Sequence, residues 1–262
     1  MFYPDDAKLQ SPLIFDSHSH YDDEKFDECR DELLSQLHDN GVADVISCSV
    51  DGNSARNTLR IAEKYDYVYA AVGIHPENLK SNTKISEIES LAKHPKCVAI
   101  GEIGLDYYFD SENKEEQINC FQKQIILANK LNLPVIVHDR EAHADTLNIL
   151  KKYKPRGVVH CFSGSVDMAK EILKLGMYIG VGGVVTFKNS KKLPDVVKII
   201  PDDKLLVETD CPYLAPEPYR GKLCHSGLIT FTAGKISEIK SCSLEEILNI
   251  TKNNAIELFN IK

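Results

Sequence analysis

The chain has 262 residues, of which 43% are hydrophobic and 27% charged, the balance of an ordinary globular protein with one sizeable core. A formal net charge of −8 argues against a protein that coats nucleic acid electrostatically. It leaves room for an enzyme that touches a few phosphates through bound cations, which reverse the field of an acidic site.

No apolar run approaches the roughly 18 residues of a membrane span, and the acidic start Met1-Phe2-Tyr3-Pro4-Asp5-Asp6 leads into no apolar signal segment. The cysteines Cys29, Cys48, Cys97, Cys120, Cys161, Cys211, Cys224 and Cys242 are scattered, with no C-x-x-C pair, which removes zinc-ribbon and thioredoxin-like readings. Several lie in apolar runs as small buried hydrophobes, so a cytoplasmic protein without membrane or stable protein partner is expected.

In chain order, short apolar runs alternate with helical patterns. Strands are expected at Leu13–Asp16, Ala43–Val50, Tyr67–Gly73, Cys97–Gly101, Leu133–His138, Gly157–His160, Met177–Gly182 and Lys204–Glu208. They are continuously apolar, as parallel strands buried on both faces should be. Between them, Glu24–His38 repeats Phe26, Cys29, Leu33 and Leu37 at helical spacing, and Lys114–Leu131 repeats Ile118, Phe121, Ile125 and Ala128. Gly41 and Gly176 mark helix stops, and Ser165 and Ser190 are N-cap candidates. From about Ser226 to Phe259 only helices are expected. The whole reads as one (β/α)8 TIM-type barrel domain over residues 1–262 with extra C-terminal helices. An open doubly wound sheet is the alternative.

The chemistry gathers at strand ends. The first strand closes on His18-Ser19-His20, and residues two apart on an extended chain point the same way. Glu102 directly follows the fourth strand, His138 ends the fifth, His160 ends the sixth and Asp210 follows the eighth. A single histidine at a strand end is usually a satisfied hydrogen-bonding residue. Six ligand-type residues delivered to one barrel rim, where active sites of this fold sit, are a metal centre. Burying them together without a cation would be costly. The mixed nitrogen and oxygen set suits zinc, manganese or iron, and exceeds what one four-coordinate ion needs. Two ions about 3.5–4 Å apart would activate a shared water and stabilise both oxygens of a displacement at phosphorus.

Six segments carry a family resemblance: Phe15-Asp16-Ser17-His18-Ser19-His20, Gly73-Ile74-His75-Pro76-Glu77, Gly101-Glu102-Ile103-Gly104-Leu105-Asp106-Tyr107, Pro134-Val135-Ile136-Val137-His138-Asp139-Arg140-Glu141, His160-Cys161-Phe162-Ser163-Gly164 and Glu208-Thr209-Asp210-Cys211-Pro212-Tyr213-Leu214. In this order, the chain resembles the TatD family of metal-dependent deoxyribonucleases within the amidohydrolase-type barrels. The resemblance implies hydrolysis of phosphodiester bonds in DNA, typically as an exonuclease, with two divalent ions (magnesium, zinc or manganese). It implies that His18, His20 and Asp210 hold one ion, His138 and His160 the other, and that Glu102 bridges them. Asp210 would also orient or deprotonate the attacking water, making Asp210 and Glu102 the catalytic carboxylates.

Three residues are expected to bind substrate. By resemblance His75 faces the substrate phosphate, with capping of its own turn as the other reading. Asp106 orients a ligand or a nucleotide, or holds its loop. Arg140, two beyond His138, meets a phosphate or a surface carboxylate. Tyr107 and Tyr108 offer rings for a base, with simple packing in the loop as the other reading. One departure concerns Arg220-Gly221-Lys222-Leu223-Cys224-His225-Ser226-Gly227, where many relatives read Arg-Gly-Lys-Arg-Asn-Glu-Pro, and this segment is expected over the site. The competing readings are an amidase or phosphotriesterase-like metal hydrolase and a non-enzymatic metal-binding scaffold. The usual amidohydrolase relatives bridge their metals with a modified lysine, and the fourth strand offers Glu102 instead. No G-x-S-x-G elbow supports a serine hydrolase.

Overall fold

The computed structural model describes Leu9, Ser11 and residues 13–261. Eight parallel strands follow one another around a nearly closed TIM-type barrel. They are β1 (Ile14–Ser19), β2 (Val42–Cys48), β3 (Val68–Val72), β4 (Cys97–Asp106), β5 (Val135–Arg140), β6 (Gly157–Val159), β7 (Tyr178–Val181) and β8 (Leu205–Val207). Helices α1 (Arg30–Leu37), α2 (Gly52–Lys64), α3 (Ile85–Leu91), α4 (Lys114–Leu131), α5 (His143–Tyr153), α6 (Val166–Lys174) and α7 (Leu193–Ile199) occupy the connections, and α8 (Ile229–Lys240) and α9 (Leu244–Phe259) follow β8. The seam between β1 and β8 is joined by a bridge from Ser19 to Cys211 and by two bonds, Asp210 N–H to His18 O (3.0 Å) and His20 N–H to Cys211 O (2.8 Å).

Strand alternation divides the core in two. Val45, Val72, Val137, Val159 and Val207 pack outward against the helices. Their sequence neighbours Ile46, Ala71, Ile136, Val158 and Leu206 fill the barrel, together with Ala255, Leu258 and Phe259 of α9. Phe259 stacks on Phe15 with centroids 6.4 Å apart, so α9 closes the floor. Going up the barrel, each inward position recurs every second residue. Ile136 leads to His138, Val158 to His160, and Leu206 to Glu208 and Asp210. The β1–β2 register slips between Asp16 and Ser19, and the β4–β5 register between Ile100 and Ile103. Such irregularities re-aim side chains, and these two flank His18 and Glu102.

Three local expectations are corrected. β1 and β4 run past their expected ends to Ser19 and Asp106, so His18 and Glu102 lie within strands rather than after them. The Glu24–His38 pattern breaks: Asp23 caps a 3₁₀ turn over Glu24–Phe26, Cys29 leaves the helical region at φ −134°, and α1 starts at Arg30. Ser190 caps nothing; its N–H closes a turn to Phe187 O (2.9 Å), and α7 starts later, with Pro194 in its first turn. Ser165 does cap α6, its hydroxyl accepting from Met168 N–H, and α4 spans Lys114–Leu131 as expected. No described helix is long and apolar enough to cross a membrane.

Candidate functional site

All six residues expected as ligands converge at the C-terminal mouth of the barrel, where a cavity of about 640 Å³ is lined by His20, Glu102, His138, His160 and Asp210. Glu102 is nearly fully buried at the centre, and its two oxygens face opposite sets of donors. Oε2 lies 3.3 Å from Nε2 of both His18 and His20. Those nitrogens stand 3.0 Å apart and 3.5 and 3.4 Å from Asp210 Oδ1. Oε1 lies 2.8 Å from His138 Nδ1 and 2.7 Å from His160 Nε2, which are 3.3 Å from each other. Donors that share an ion at about 2.0–2.2 Å must stand about 3–3.5 Å apart. The spacing on both sides of Glu102 therefore fits a cation.

Hydrogen bonds behind the rings set which nitrogen faces the centre. His20 Nδ1–H donates to Cys48 O (2.9 Å), leaving Nε2 with its lone pair inward. His138 Nε2–H donates to Asp106 Oδ2 (2.9 Å), leaving Nδ1 inward. His18 Nδ1 lies 3.4 Å from Cys48 Sγ. His160 Nδ1 is buried with no hydrogen-bond partner and faces Glu208 Oε1 at 3.8 Å. Carboxylates or carbonyls behind ligating imidazoles are the usual outer support of metal sites. His75 is the opposite case. Its Nδ1 accepts from Glu77 N–H (3.2 Å), which puts the proton on Nε2, 3.4 Å from Glu102 Oε1. His75 thus caps its turn and also presents an N–H donor to the site, and ligation through Nε2 is disfavoured.

The electrostatics favour positive charge. Burial would raise the Glu102 carboxyl, yet His160, His75 and His18 hold it well below the usual range. Burial likewise opposes ionisation of Asp210, but its hydrogen bond to His20 and the nearby His18 and His160 keep it low. Burial disfavours the charged form of His138, but Asp106 and Glu102 lift it to about 10. Burial and the neighbouring His160 push His18 down to about 4, so it readily gives up its proton to an incoming cation. This field draws in protons, which divalent cations displace from nitrogen and oxygen ligands.

Asp106 ends β4, buried, and binds His138 through one oxygen and Phe109 N–H (2.8 Å) through the other, so it orients a site histidine and holds its loop at once. Arg140 ends β5 at the cavity wall, and its guanidinium lies 3.9 Å over the Tyr108 ring rather than on a carboxylate. Tyr107 packs through Asp145, its hydroxyl donating to Oδ2 (2.8 Å). The segment expected over the site is corrected: Arg220–Lys222 is exposed away from the cavity lining, and Cys224, His225 and Ser226 turn inward. Ser226 donates to Asp16 Oδ2 (2.7 Å) and its N–H to Tyr21 OH (3.0 Å).

Two residues escaped the sequence reading, and alternation points to the first of them. Glu208, two before Asp210, lies under the site, accepts from the Cys161 N–H, and is pushed up to about 7 by burial. Gly180 opposite leaves room for it, since a Cβ there would overlap the Glu208 carboxylate. Asp16 gathers His18 N–H (3.3 Å), Thr209 N–H (3.0 Å), Thr209 Oγ1 (2.6 Å) and Ser226 Oγ (2.7 Å), and so ties both strands that carry His18 and Asp210.

The sequence pattern of the family described as TatD related DNase matches residues 15–260. The chain belongs to the TatD family. A relative from Bacillus subtilis, described as the uncharacterized metal-dependent hydrolase YabD, is 41% identical over 95% of this chain and its own full length. Among solved TatD structures, the homologue YjjV of Escherichia coli superposes with a TM-score of 0.90 at 31% identity, covering 96% of this chain and 99% of that one. A TatD family hydrolase from Entamoeba histolytica gives 0.85 at 27%, covering 95% and 98%. The TatD fold is thus matched along nearly the whole described chain, with the histidine and carboxylate cluster at its mouth.

Proposed function

We propose that this TatD chain is a divalent-metal-dependent hydrolase that cleaves phosphodiester bonds in DNA, releasing nucleotides from strand ends. The observation that carries the reading is Glu102, whose two oxygens face two separate donor sets, the arrangement of a carboxylate shared by two ions. His18, His20 and Asp210 would hold one ion, and His138 and His160 the other. Magnesium, zinc or manganese bound there would supply Lewis acidity and a nucleophile at neutral pH.

The chain's own residues do the rest. Asp210, kept ionised beside His20, accepts the proton of the attacking water. The His75 Nε2–H donates to a phosphate oxygen, which requires no change in its turn. Arg140 meets the phosphate on the next residue of the strand. The family description, TatD related DNase, supports phosphodiester DNA as the substrate class, and Glu102 in place of a bridging lysine supports the nuclease branch over the amidohydrolases.

The test is single-turnover cleavage of a labelled oligonucleotide against a panel of divalent ions, with binding followed separately. Chelator should abolish cleavage. Asp210→Asn should lower kcat by roughly 10²–10⁴, the usual scale for a positioned base, while binding falls much less. Metal-dependent turnover of an amide or phosphotriester without any on oligonucleotides would overturn the DNA reading, and no metal-dependent turnover at all would leave a scaffold.

A further inference from the structure

At the rim, the two most exposed large hydrophobic side chains among the described residues, Tyr108 at 68% and Phe109 at 64%, are neighbours on the turn that leaves β4. Adjacent rings left in water beside a cavity mark a contact surface. The turn beneath them is rigid. Asp106 Oδ1 accepts from Phe109 N–H, and buried Gln117 accepts from Asp106 N–H (2.8 Å) and donates to Asp106 O (3.0 Å) and Asp110 O (2.8 Å). The Tyr107 N–H donates to Arg140 O (2.9 Å). Arg140, a cavity-lining residue, lies over the Tyr108 ring. The opposite lip, after β1 and β8, carries Asp22 and Asp23 beside the Tyr213 ring, which lies under Lys25 Nζ (3.8 Å) and donates its hydroxyl to Asp23 Oδ2 (2.9 Å). Of the two lips, the one after β4 carries two adjacent exposed rings with a cavity-lining guanidinium, whereas the single ring of the other is tied to a carboxylate.

We propose that Tyr108 and Phe109, with Arg140, form a stacking platform for a nucleobase adjacent to the cleaved phosphodiester, so that a single strand enters over the β4–β5 lip. The proposal rests on the DNA reading above. Stacking tolerates any base, because each has a π-face, and Arg140 adds a cation for the phosphate that follows. A paired base inside a duplex has no free face to give, so the substrate class is single-stranded or frayed DNA.

The experiment measures steady-state cleavage by wild type, Tyr108→Ala/Phe109→Ala, Phe109→Tyr and Ile126→Ala, with thermal unfolding and native mass recorded for each. The substrates are a single-stranded oligonucleotide and the same strand with abasic residues near its end. In the double variant KM on the normal strand should rise about tenfold, the loss of roughly one stacked base, with the effect on KM rather than kcat. The penalty should shrink on the abasic strand, and Phe109→Tyr should keep the wild-type KM. Ile126, 52% exposed on α4, is the control and should change nothing. Wild-type KM in the double variant, or an equal loss on both strands, overturns the platform while the DNA reading stands. Unchanged KM with a lower native mass than wild type assigns the rings to self-association and overturns it as well. If wild type cleaves neither strand, the DNA reading fails first and the platform with it.

Discussion

The two halves of the site are built on different principles. The β1–β8 half sets His18, His20 and Asp210 on a buried scaffold: Asp16, Thr209, Ser226 and Tyr21 bond one another beneath it, and none of these four is exposed. The β4–β5 half holds His138 through a single carboxylate, Asp106, whose other oxygen supports a turn of solvent-facing rings. One half fixes ligands and touches little else. The other connects a candidate ligand to the exposed rings proposed as the base platform. Rigidity and reach are thus segregated to opposite sides of Glu102, which belongs to both.

The strongest way to break that division is to remove its centre. Glu102→Ala should lower metal content at both halves, from about two ions per chain to below one, and reduce kcat/KM by at least about 10³-fold. His20→Ala should empty mainly one half. Elemental analysis beside metal titration checks this, and full occupancy in Glu102→Ala would break the shared-carboxylate picture.

A smaller effect sharpens the contrast. Asp106→Asn and Glu208→Gln each remove a carboxylate behind a histidine, and each should cost roughly 10–100-fold in metal affinity or activity, the scale of outer supporting groups. They should differ in kind. Asp106→Asn also loosens the Phe109 turn and so should raise KM for single-stranded DNA, whereas Glu208→Gln should lower kcat at unchanged KM. Kinetics for the two variants side by side decide it; identical profiles would dissolve the distinction between halves.

The smallest effect is a pH slope in stability. Burial, against four hydrogen bonds, pushes Asp16 up to about 6 from its ordinary 3.8. The folded state then holds this proton more tightly than the unfolded chain. The contribution is therefore full below about pH 4 and is lost as pH rises through about 6. Asp16→Asn should flatten the unfolding midpoint across that window relative to wild type, whatever its absolute stability. A slope equal to wild type would show that Asp16 is not what titrates there.

How much of this was legible in the sequence depended on whether the signal was local. His138, His160 and Asp210 could be placed because each sits on the inward parity of an apolar strand. The same parity marks Glu208, which stands two residues before Asp210 on the same strand end. His18 and Glu102 were identified by residue type. Their exact aim comes from register slips between neighbouring strands, which are properties of pairs and leave no trace in either strand alone. The exposed Arg220–Lys222 stretch and the inward Ser226 were beyond reach for a similar reason: their fate is decided by Asp16 and Tyr21, about 200 residues away. Helix ends followed the same divide. Ser165 caps its own helix, but the Glu24–His38 stripe yields to Arg30, whose side chain folds back on Tyr21 O and Asp23 O.

The floor of the barrel has a consequence for how the protein is made. The inward layer of Phe15, Ile46, Ile136 and Leu206 is sealed by Leu258 and Phe259 of α9, so the first strand and the final described helix bury one another. Contacts of such sequence separation are slow to form and reward the chain only when nearly all of it is present. During synthesis, therefore, successive β-α units can assemble while the barrel's interior remains open at the bottom, and a nascent chain stalled before α9 would present an apolar ring to chaperones or to other chains. The residues that close the floor lie at the end of the barrel farthest from its candidate site.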